Sequence, residues 1–382
     1  MKILLISSRF QPHRGGLEKV VHHLAYNLKE AGHQIKIITN RYPRSLPSHE
    51  ISDGLDIARF HFLFPEKDYL KFGRVDLWLA GLWFSFWTKF RLKRVIEDFQ
   101  PDLINNHYLN VVADFTAKVL EKLDKKIPWV ISLHGGDVDG EPLQNIPKRQ
   151  RFMRVSQQAD CITACSQSLA DQAVDLNPSL VEKIRVVHNG VDVERFSQIG
   201  FVDQKEPYIF AVGQLVRHKG LDMLVKAFAA VCQQFPEISL RIAGSGPEQE
   251  NLSKLITSLG MERNIILLGS QPEEDVARLM CGSIFVAVPS RREPFGIVAL
   301  EAMAAGKNLL VTPVGGIPEF VPPGPNLFMQ PRLEDWIDGL GEFIQLWKEN
   351  ALPDPKENIR AAGELTWDRY TEKILEIYRD AQ

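Results

Sequence analysis

The feature of the sequence that most constrains the fold is a regular alternation of short apolar runs with longer segments of helical pattern. Six runs rich in β-branched or aliphatic residues occur before residue 190, and a segment of different periodicity follows each of them. Alternation of this kind predicts βαβ units and a parallel sheet. The predicted strands are Ile3–Ile6, Gln34–Thr39, Asp102–Asn105, Trp129–Ser132, Cys161–Ala164 and Ile184–Val187.

The same alternation begins again in the second half of the chain. Residues 189–207, between the two series, contain an Asn-Gly turn and little periodicity, which indicates a linker. Because 382 residues also exceed what one core usually organises, we predict an α/β protein of two domains, residues 1–198 and 199–365, with a final helix within 366–382. The strands predicted for the second domain are Tyr208–Val212, Leu240–Ala243, Ile265–Leu268, Ile284–Val288 and Asn308–Val311.

Composition and charge exclude several classes of protein. With 45% hydrophobic and 24% charged residues the chain is typical of a globular protein, and a net charge of -3 argues against nucleic-acid binding. The first apolar run is too short for a secretory segment, and the four cysteines form no Cys-x-x-Cys pair, so we expect reduced thiols and a cytoplasmic protein. The longest mostly apolar run, Leu77–Trp87, is too short to span a bilayer.

Two glycine-containing loops are candidates for phosphate binding. Gly15 and Gly16 lie between the first strand and a predicted helix, whose amino terminus offers free N–H groups to an anion. Residues 213–220 follow the first strand of the second domain and contain two cations, Arg217 and Lys219. A plain strand-to-helix turn and a solvated basic loop are the alternatives, and Gly244-x-Gly246 is better explained as a tight turn.

Two glutamates flank a helix start in residues 289–301. Glu293 precedes the helix, where a carboxylate often only stabilises the macrodipole. Glu301 lies within the helix among small and apolar residues, which predict that it is buried. A buried carboxylate requires a partner or a ligand, so Glu301 is the stronger candidate for binding.

A histidine and two aspartates follow the strand Trp129–Ser132. We expect the side chains of His134 and Asp137, which come directly after this strand, to project into an interdomain cleft. Asp137 and Asp139 could also be interpreted as a metal pair, but two carboxylates one residue apart provide too few ligands for a dedicated site. We therefore expect no metal. A surface turn or a core histidine is the remaining alternative.

Taken in order and spacing, these motifs resemble those of the family 4 glycosyltransferases, and the resemblance covers essentially the whole chain. The most specific element is Glu293, seven residues and then Glu301. The family pattern is also matched by Asn189-Gly190-Val191-Asp192 ahead of Phe196, Lys219-Gly220, Gly244-Ser245-Gly246, Gly315-Gly316 and Trp367.

The resemblance implies a GT-B fold, in which two Rossmann-like domains with parallel sheets face each other across a cleft. The first domain would receive the acceptor, the second would hold the donor, and the helix in residues 366–382 would pack back on the first. The implied activity is a retaining, metal-independent transfer of a hexose from a UDP-, GDP- or ADP-sugar, with no cofactor. A glycan, a lipid-linked acceptor or a small molecule would receive the sugar.

The resemblance also implies a role for each candidate residue. Glu301 would bind the ribose hydroxyls, while Glu293 and the backbone of Phe295, Gly296 and Ile297 would hold the transferred sugar. Lys219, Gly15 and Gly16 would contact the diphosphate, His134 would contact the sugar, and Asp137 would lie near the acceptor. The sequence departs from the family at Gln214, where many members have an arginine, and Arg217 is a candidate to compensate.

Residues 77–94 combine aromatic and basic side chains. They include three tryptophans and three phenylalanines, followed by Lys89, Arg91, Lys93 and Arg94. This composition is typical of a lipid interface, and it predicts peripheral contact with the inner face of the cell membrane. The alternative is a buried helix, because apolar residues cover most of the helical circumference.

Two other functions would share some of these features. A nucleotide-sugar epimerase of GT-B type would have the same nucleotide site but would need an acid and a base in place of an acceptor pocket. A noncatalytic nucleotide-sugar-binding protein would have no need of His134, Glu293 and Glu301 together. The presence of all three favours the transferase.

Overall fold

A computed structural model describes residues 1–13, 15–62, 74–138, 146–200 and 206–382. The chain divides into two compact units, one formed by residues 1–188 with 370–382 and the other by residues 189–369. Part of the predicted linker, residues 201–205, lies outside the described residues, as does Asp139. Both units are built from a parallel sheet and helices, as predicted from the alternation of patterns.

Within its described residues, the first unit contains a sheet of eight strands in the order β3-β4-β2-β1-β5-β6-β7-β8. All neighbouring strands are parallel except β3 and β4, which form an antiparallel edge. The strands are β1 Lys2–Ser7, β2 Gln34–Asn40, β3 His49–Ser52, β4 Leu55–Phe60, β5 Leu103–His107, β6 Trp129–Leu133, β7 Cys161–Ala164 and β8 Ile184–Val186.

The helices of the first unit connect successive parallel strands, as the right-handed βαβ unit requires. They are α1 Gly16–Glu30, α2 Val75–Phe99, α3 Val111–Leu120, α4 Ile146–Gln158 and α5 Gln167–Leu176, and Pro178–Leu180 adds a 3₁₀ turn. Helix α2 packs against α3.

The second unit contains a parallel sheet of six strands in the order β11-β10-β9-β12-β13-β14. The strands are β9 Tyr208–Val212, β10 Ser239–Ala243, β11 Ile265–Gly269, β12 Val286–Val288, β13 Leu309–Val311 and β14 Leu327–Phe328. Its helices are α6 Val193–Ile199, α7 Leu221–Val231, α8 Gln249–Ser258, α9 Glu273–Gly282, α10 Ile297–Ala304, α11 Leu333–Lys348 and α12 Lys356–Gly363, with 3₁₀ turns at Arg217–Lys219 and Ile317–Glu319.

Strands β3, β4 and β14 were not predicted from the sequence. β3 is an edge strand whose side chains are all at least partly exposed, so it lacks an apolar run. β4 is buried but includes Asp56 and Arg59, and the Arg59 guanidinium is held by Glu50 and by the Gln11 carbonyl oxygen. Charged residues inside a short strand conceal it from a search for apolar runs.

The final helix, α13 Trp367–Asp380, buries the apolar stripe that its spacing predicts. Trp367, Tyr370, Ile374, Leu375 and Tyr378 are all buried. The Tyr378 hydroxyl, fully buried, donates a hydrogen bond to Asn105 Oδ1 at 3.1 Å, on strand β5. Burial raises the Tyr378 pKa well above its ordinary value, so the hydroxyl stays protonated and able to donate.

We expect Tyr378→Phe to lower the free energy of unfolding by about 1 kcal/mol, because one buried hydrogen bond is lost while the ring is retained. Tyr26→Phe is the control, since Tyr26 is 42% exposed and its hydroxyl has no hydrogen-bond partner in the described part of the chain. Urea unfolding measures both changes. Equal stability of the Tyr378 variant and the wild type would show that the bond contributes nothing.

Candidate functional site

The strand order of the second unit places one pair of loops at a topological switch point. Strand β9 lies between β10 and β12, so the chain leaves β9 toward one side of the sheet and returns at β12 on the other. The loops that follow β9 and β12 therefore flank the crevice where open α/β sheets bind ligands. They are residues 213–220 and residues 289–296, and the sequence predicts donor binding for both of these loops.

Lys219 and Glu293 form an ion pair between these two loops. Lys219 Nζ lies 2.5 Å from Glu293 Oε2, and the Ser290 hydroxyl donates to the same oxygen at 3.0 Å. Both charged side chains are largely shielded from solvent, at 22% and 10% exposure. A shielded pair is held more firmly than a surface pair. The structure thus brings together two residues predicted to serve different parts of the donor.

Arg291 ties the two loops to each other. Its guanidinium makes a two-pronged bond to the Asp222 carboxylate, at 2.6 and 2.9 Å, and donates to the Arg217 carbonyl oxygen at 2.8 Å. The Arg291 backbone N–H donates to the His218 carbonyl oxygen at 2.7 Å. Burial raises the Asp222 pKa, but the Arg291 bonds and charge outweigh it, and the net pKa is lowered. Roles for Arg291 and Ser290 were not predicted from the sequence, although both residues lie inside the motif at 289–301.

Glycines allow the backbone of these loops to approach closely. Gly220 has a φ of +69°, and a Cβ there would collide with the Pro289 carbonyl oxygen. Gly315 has a φ of +58°, and its Cβ would collide with the Glu293 carbonyl oxygen. Glycine is therefore required at both positions, and through them the loop at 289–296 is held on two sides.

Glu301 lies on α10, the helix that begins directly after Gly296. It is 9% exposed, and its neighbours from Ala299 to Ala304 are buried with it, as the sequence predicts. Phe295 is buried and stacks on Phe320 with ring centroids 4.6 Å apart, so its side chain belongs to the core. What Phe295, Gly296 and Ile297 can offer a ligand is backbone, because N–H groups in the first turn of a helix have no acceptor within it.

Gln214, which stands where many members of the family have an arginine, is exposed. Gln214 and Arg217 are both exposed at the surface of the loop after β9. The Arg217 backbone is fixed by Arg291, whereas its side chain is directed to solvent. Compensation of Gln214 by Arg217 therefore stays a prediction.

In the first unit, the loop after β1 leads into α1. Gly15 precedes the helix with a φ of 173°, an extended conformation that any residue can adopt. A Cβ at Gly15 would meet the carboxylate end of the flexible Glu18 side chain at 2.6 Å. The backbone conformation and the packing at position 15 therefore do not strictly require glycine. Close approach of a ligand to Gly15 and Gly16 stays a prediction.

His134 is paired with a second histidine, His107, which was not predicted from the sequence. His134 follows β6 and His107 ends the neighbouring strand β5, so both lie at the carboxyl edge of the sheet. His107 Nδ1 and His134 Nε2 are 3.1 Å apart, and the rings stack with centroids 5.4 Å apart. The sequence signal that could have identified His107 is its position at the end of the strand that precedes β6 in the chain.

Burial keeps both rings uncharged. It lowers the His134 pKa to about 4, and burial followed by the neighbouring His134 lowers the His107 pKa well below its usual range. One neutral ring must then donate and the other accept in the bond between them. His107 occupies Nε2 of His134. The other ring nitrogen of His134, Nδ1, makes no hydrogen bond to the described residues.

Asp137 fastens the loop that carries His134. Its carboxylate, 5% exposed, accepts from the backbone N–H groups of Gly135 at 2.8 Å, His134 at 3.1 Å and Leu109 at 3.1 Å. Burial raises the Asp137 pKa, against the lowering effect of these bonds. The structure thus gives Asp137 a role in holding the loop, and its predicted proximity to the acceptor stays a prediction.

Two features are absent from the residues that the structure describes. No group of three or more His, Cys, Asp or Glu side chains there could hold a metal ion. No described helix is both long enough and apolar enough to cross a membrane.

Two family descriptions match consecutive parts of the chain. "Glycosyltransferase Family 4" matches residues 14–195, and "Glycosyl transferases group 1" matches residues 192–361. One component of the human phosphatidylinositol N-acetylglucosaminyltransferase is 25% identical over 385 residues, covering 98% of this chain and 75% of the human protein. The N-acetyl-alpha-D-glucosaminyl L-malate synthase of Bacillus anthracis is 27% identical over 387 residues, covering 96% of this chain and 93% of that protein.

Solved structures of glycosyltransferases share the fold. Sucrose-phosphate synthase from Thermosynechococcus elongatus superposes with a TM-score of 0.78 at 18% identity, covering 100% of this chain and 99% of that one. Anabaena Alr3699/HepE in complex with UDP-glucose gives a TM-score of 0.75 at 19% identity, covering 98% of each chain. The predicted family and the predicted GT-B fold are both confirmed, and the chain belongs to the family 4 glycosyltransferases.

Proposed function

We propose that this glycosyltransferase transfers a hexose from a nucleoside-diphosphate sugar, with retention of configuration and without a metal ion. The acceptor is a glycan, a lipid-linked molecule or a small molecule, and the reaction takes place in the cytoplasm. The observation that carries the proposal is the cluster of Lys219, Ser290 and Glu293 at the switch point, together with buried Glu301 on the helix that starts there.

The charges of this cluster suit a diphosphate leaving group. When the bond to the sugar breaks, negative charge develops on the diphosphate, and a cation already in position stabilises it without reorganisation. Glu293 and the tie through Arg291 hold Lys219 in one place before any donor binds. Arg217 and the first-turn N–H groups of α10 would add to this stabilisation.

The remaining glutamate and the backbone beside it suit the other parts of the donor. Glu301 would accept hydrogen bonds from the two ribose hydroxyls, which is a favourable use of a buried carboxylate. Glu293, with the backbone of Phe295, Gly296 and Ile297, would hold hydroxyls of the transferred hexose. Gly15 and Gly16 would give the diphosphate close access to backbone N–H groups.

We assign His134 to the transferred sugar as a neutral hydrogen-bonding group. Its lowered pKa means that it would not carry a charge at neutral pH, and His107 would fix the orientation of its ring. Asp137, the nearest carboxylate along the described chain, is already bound by three backbone N–H groups and is poorly placed to act as a nucleophile. This supports a transfer without a covalent sugar–enzyme intermediate.

We expect one nucleoside-diphosphate sugar among the UDP, GDP and ADP series to raise the melting temperature of the chain in the presence of EDTA. A ligand at 100 times its dissociation constant stabilises a protein by about 2.7 kcal/mol, which shifts melting by a few degrees. Glu301→Ala should abolish most of this shift. His134→Ala should retain the shift but slow the transfer at least about 100-fold, because only the second residue is assigned to the reacting sugar.

Glu262→Ala is the matched control for donor binding, since Glu262 is exposed, lies in the same unit and forms no ion pair in the described residues. It should leave the shift unchanged. A full shift in Glu301→Ala would overturn the ribose assignment. Conversion of the donor to its epimer without any acceptor would favour an epimerase over the transferase.

The neutral state of His134 predicts a pH dependence of stability. Because burial lowers its pKa from 6.5 to about 4, the unfolded chain binds a proton between these values that the folded chain does not. The titration of His134 therefore leaves the free energy of unfolding unchanged above pH 6.5. As the pH drops from 6.5 toward 4, it lowers this free energy by up to about 3 kcal/mol. His134→Asn should lose less stability than the wild type in urea unfolding over this range. Parallel curves for the two proteins would contradict the lowered pKa.

A further inference from the structure

Helix α2, Val75–Phe99, differs from an ordinary surface helix, because it buries small and polar side chains and exposes large apolar ones. The side chains that it buries are small or polar for the first half of its length: Gly81, Ser85 and Thr88, followed by Leu92 and Ile96. The Thr88 hydroxyl is tied to the His61 carbonyl oxygen at 2.8 Å, which fixes this face toward the protein. The helix is therefore not oriented by burial of its largest apolar residues.

Those residues lie on the opposite side and are exposed to solvent. Leu79, Trp83, Phe86 and Phe90 follow one another at helical spacing, with exposures of 55%, 64%, 64% and 53%. Leu82 and Trp87 widen the stripe, at 44% and 42%. The predicted alternative of a buried helix is thus wrong for these side chains. A contiguous apolar surface of this kind usually marks a place of interaction.

The exposed aromatic rings are already packed against one another. Trp87 contacts Trp83, Phe86 and Phe90, with ring centroids 5.8, 6.0 and 6.0 Å apart. A surface that is ordered before binding loses less conformational entropy when it binds. Tryptophan and phenylalanine beside charged groups are also the residues that suit the boundary between headgroups and acyl chains.

Positive charge continues the same surface beyond Phe90. Residues 89–94 contain four cations and no acidic residue, although the whole chain has a net charge of -3. Lys93 and Arg94 lie on the next turn after Phe90, with side chains 42% and 73% exposed, and are paired only loosely with Glu97 and Asp98 at 3.5 and 3.7 Å. Burial lowers the Lys89 pKa, the charges of Lys118 and Lys122 lower it further, and the charge of Asp114 acts in the opposite direction.

We propose that the exposed face of α2, from Leu79 to Arg94, docks onto a membrane surface that carries anionic headgroups. The aromatic stripe would enter the headgroup boundary, and Lys93 and Arg94 would meet the lipid phosphates. A second copy docked through the same face would place its cations against these cations, and like charges that meet at an interface are unfavourable, so it fits the surface less well.

Membrane docking goes beyond the proposed sugar transfer, because α2 contains none of the residues assigned to donor or transfer. The two proposals can therefore fail separately. Donor-induced thermal stabilisation of a docking variant tests the nucleotide site, while vesicle binding tests α2.

The experiment is flotation of the full chain with vesicles of phosphatidylcholine alone and of phosphatidylcholine with phosphatidylglycerol. The wild type should float with the anionic vesicles, and the triple variant Trp83→Ser, Phe86→Ser, Phe90→Ser should stay at background. Lys93→Gln with Arg94→Gln should reduce partitioning by about 30-fold, because each cation near an anionic surface contributes about fivefold. These side chains are exposed, so circular dichroism and the donor thermal shift should match the wild type.

Ile51→Ser with Ile146→Ser is the matched control, since these apolar side chains of the same unit are 72% and 71% exposed but lie away from α2 in sequence. This variant should float like the wild type. Background flotation of the wild type with both vesicles, or undiminished flotation of the triple variant, would overturn the proposal. A wild-type dimer that the triple variant converts to a monomer, without vesicle binding, would assign the face to a second copy instead.

Discussion

Parallel strands impose the constraint on which the candidate site depends, because the loops that follow them all emerge at one edge of the sheet. In the second unit the order of strands reverses between β9 and β12, so residues 213–220 and 289–296 meet at that edge. In the first unit, β5 and β6 place His107 and His134 side by side for the same reason. Residues far apart in sequence thus become neighbours through strand order alone.

Charge pairing then decides how rigid this edge is. The Lys219–Glu293 pair and the bonds of Arg291 to Asp222 and to the 217–218 backbone tie the two loops to each other. A site with its cation fixed in advance is suited to a developing anion, since little reorganisation accompanies the reaction. Asp137 has the equivalent task around His134, where its carboxylate accepts hydrogen bonds from the backbone of the loop.

The sequence was sufficient for those parts of the protein that depend on local pattern. The fold class and the central strands of both sheets follow from apolar periodicity, and the burial of Glu301 follows from the small residues around it. Strand β4 was not predicted, because the partners that allow Arg59 to be buried are distant in sequence and no local pattern reveals them. The roles of His107 and Arg291 were not predicted for a related reason, since they depend on neighbours 27 and 69 residues away in the sequence. The side of α2 that faces solvent could not be derived from a helix that is apolar around most of its circumference.

We propose that the second unit binds the nucleoside diphosphate of a sugar donor at the edge formed by β9 and β12. Crystals of the full chain grown with UDP, GDP or ADP, in the presence of EDTA, test this most directly. We expect the diphosphate within hydrogen-bonding distance of Lys219 Nζ and both ribose hydroxyls on the Glu301 carboxylate. A nucleotide bound away from both residues would contradict the assignment of the donor site.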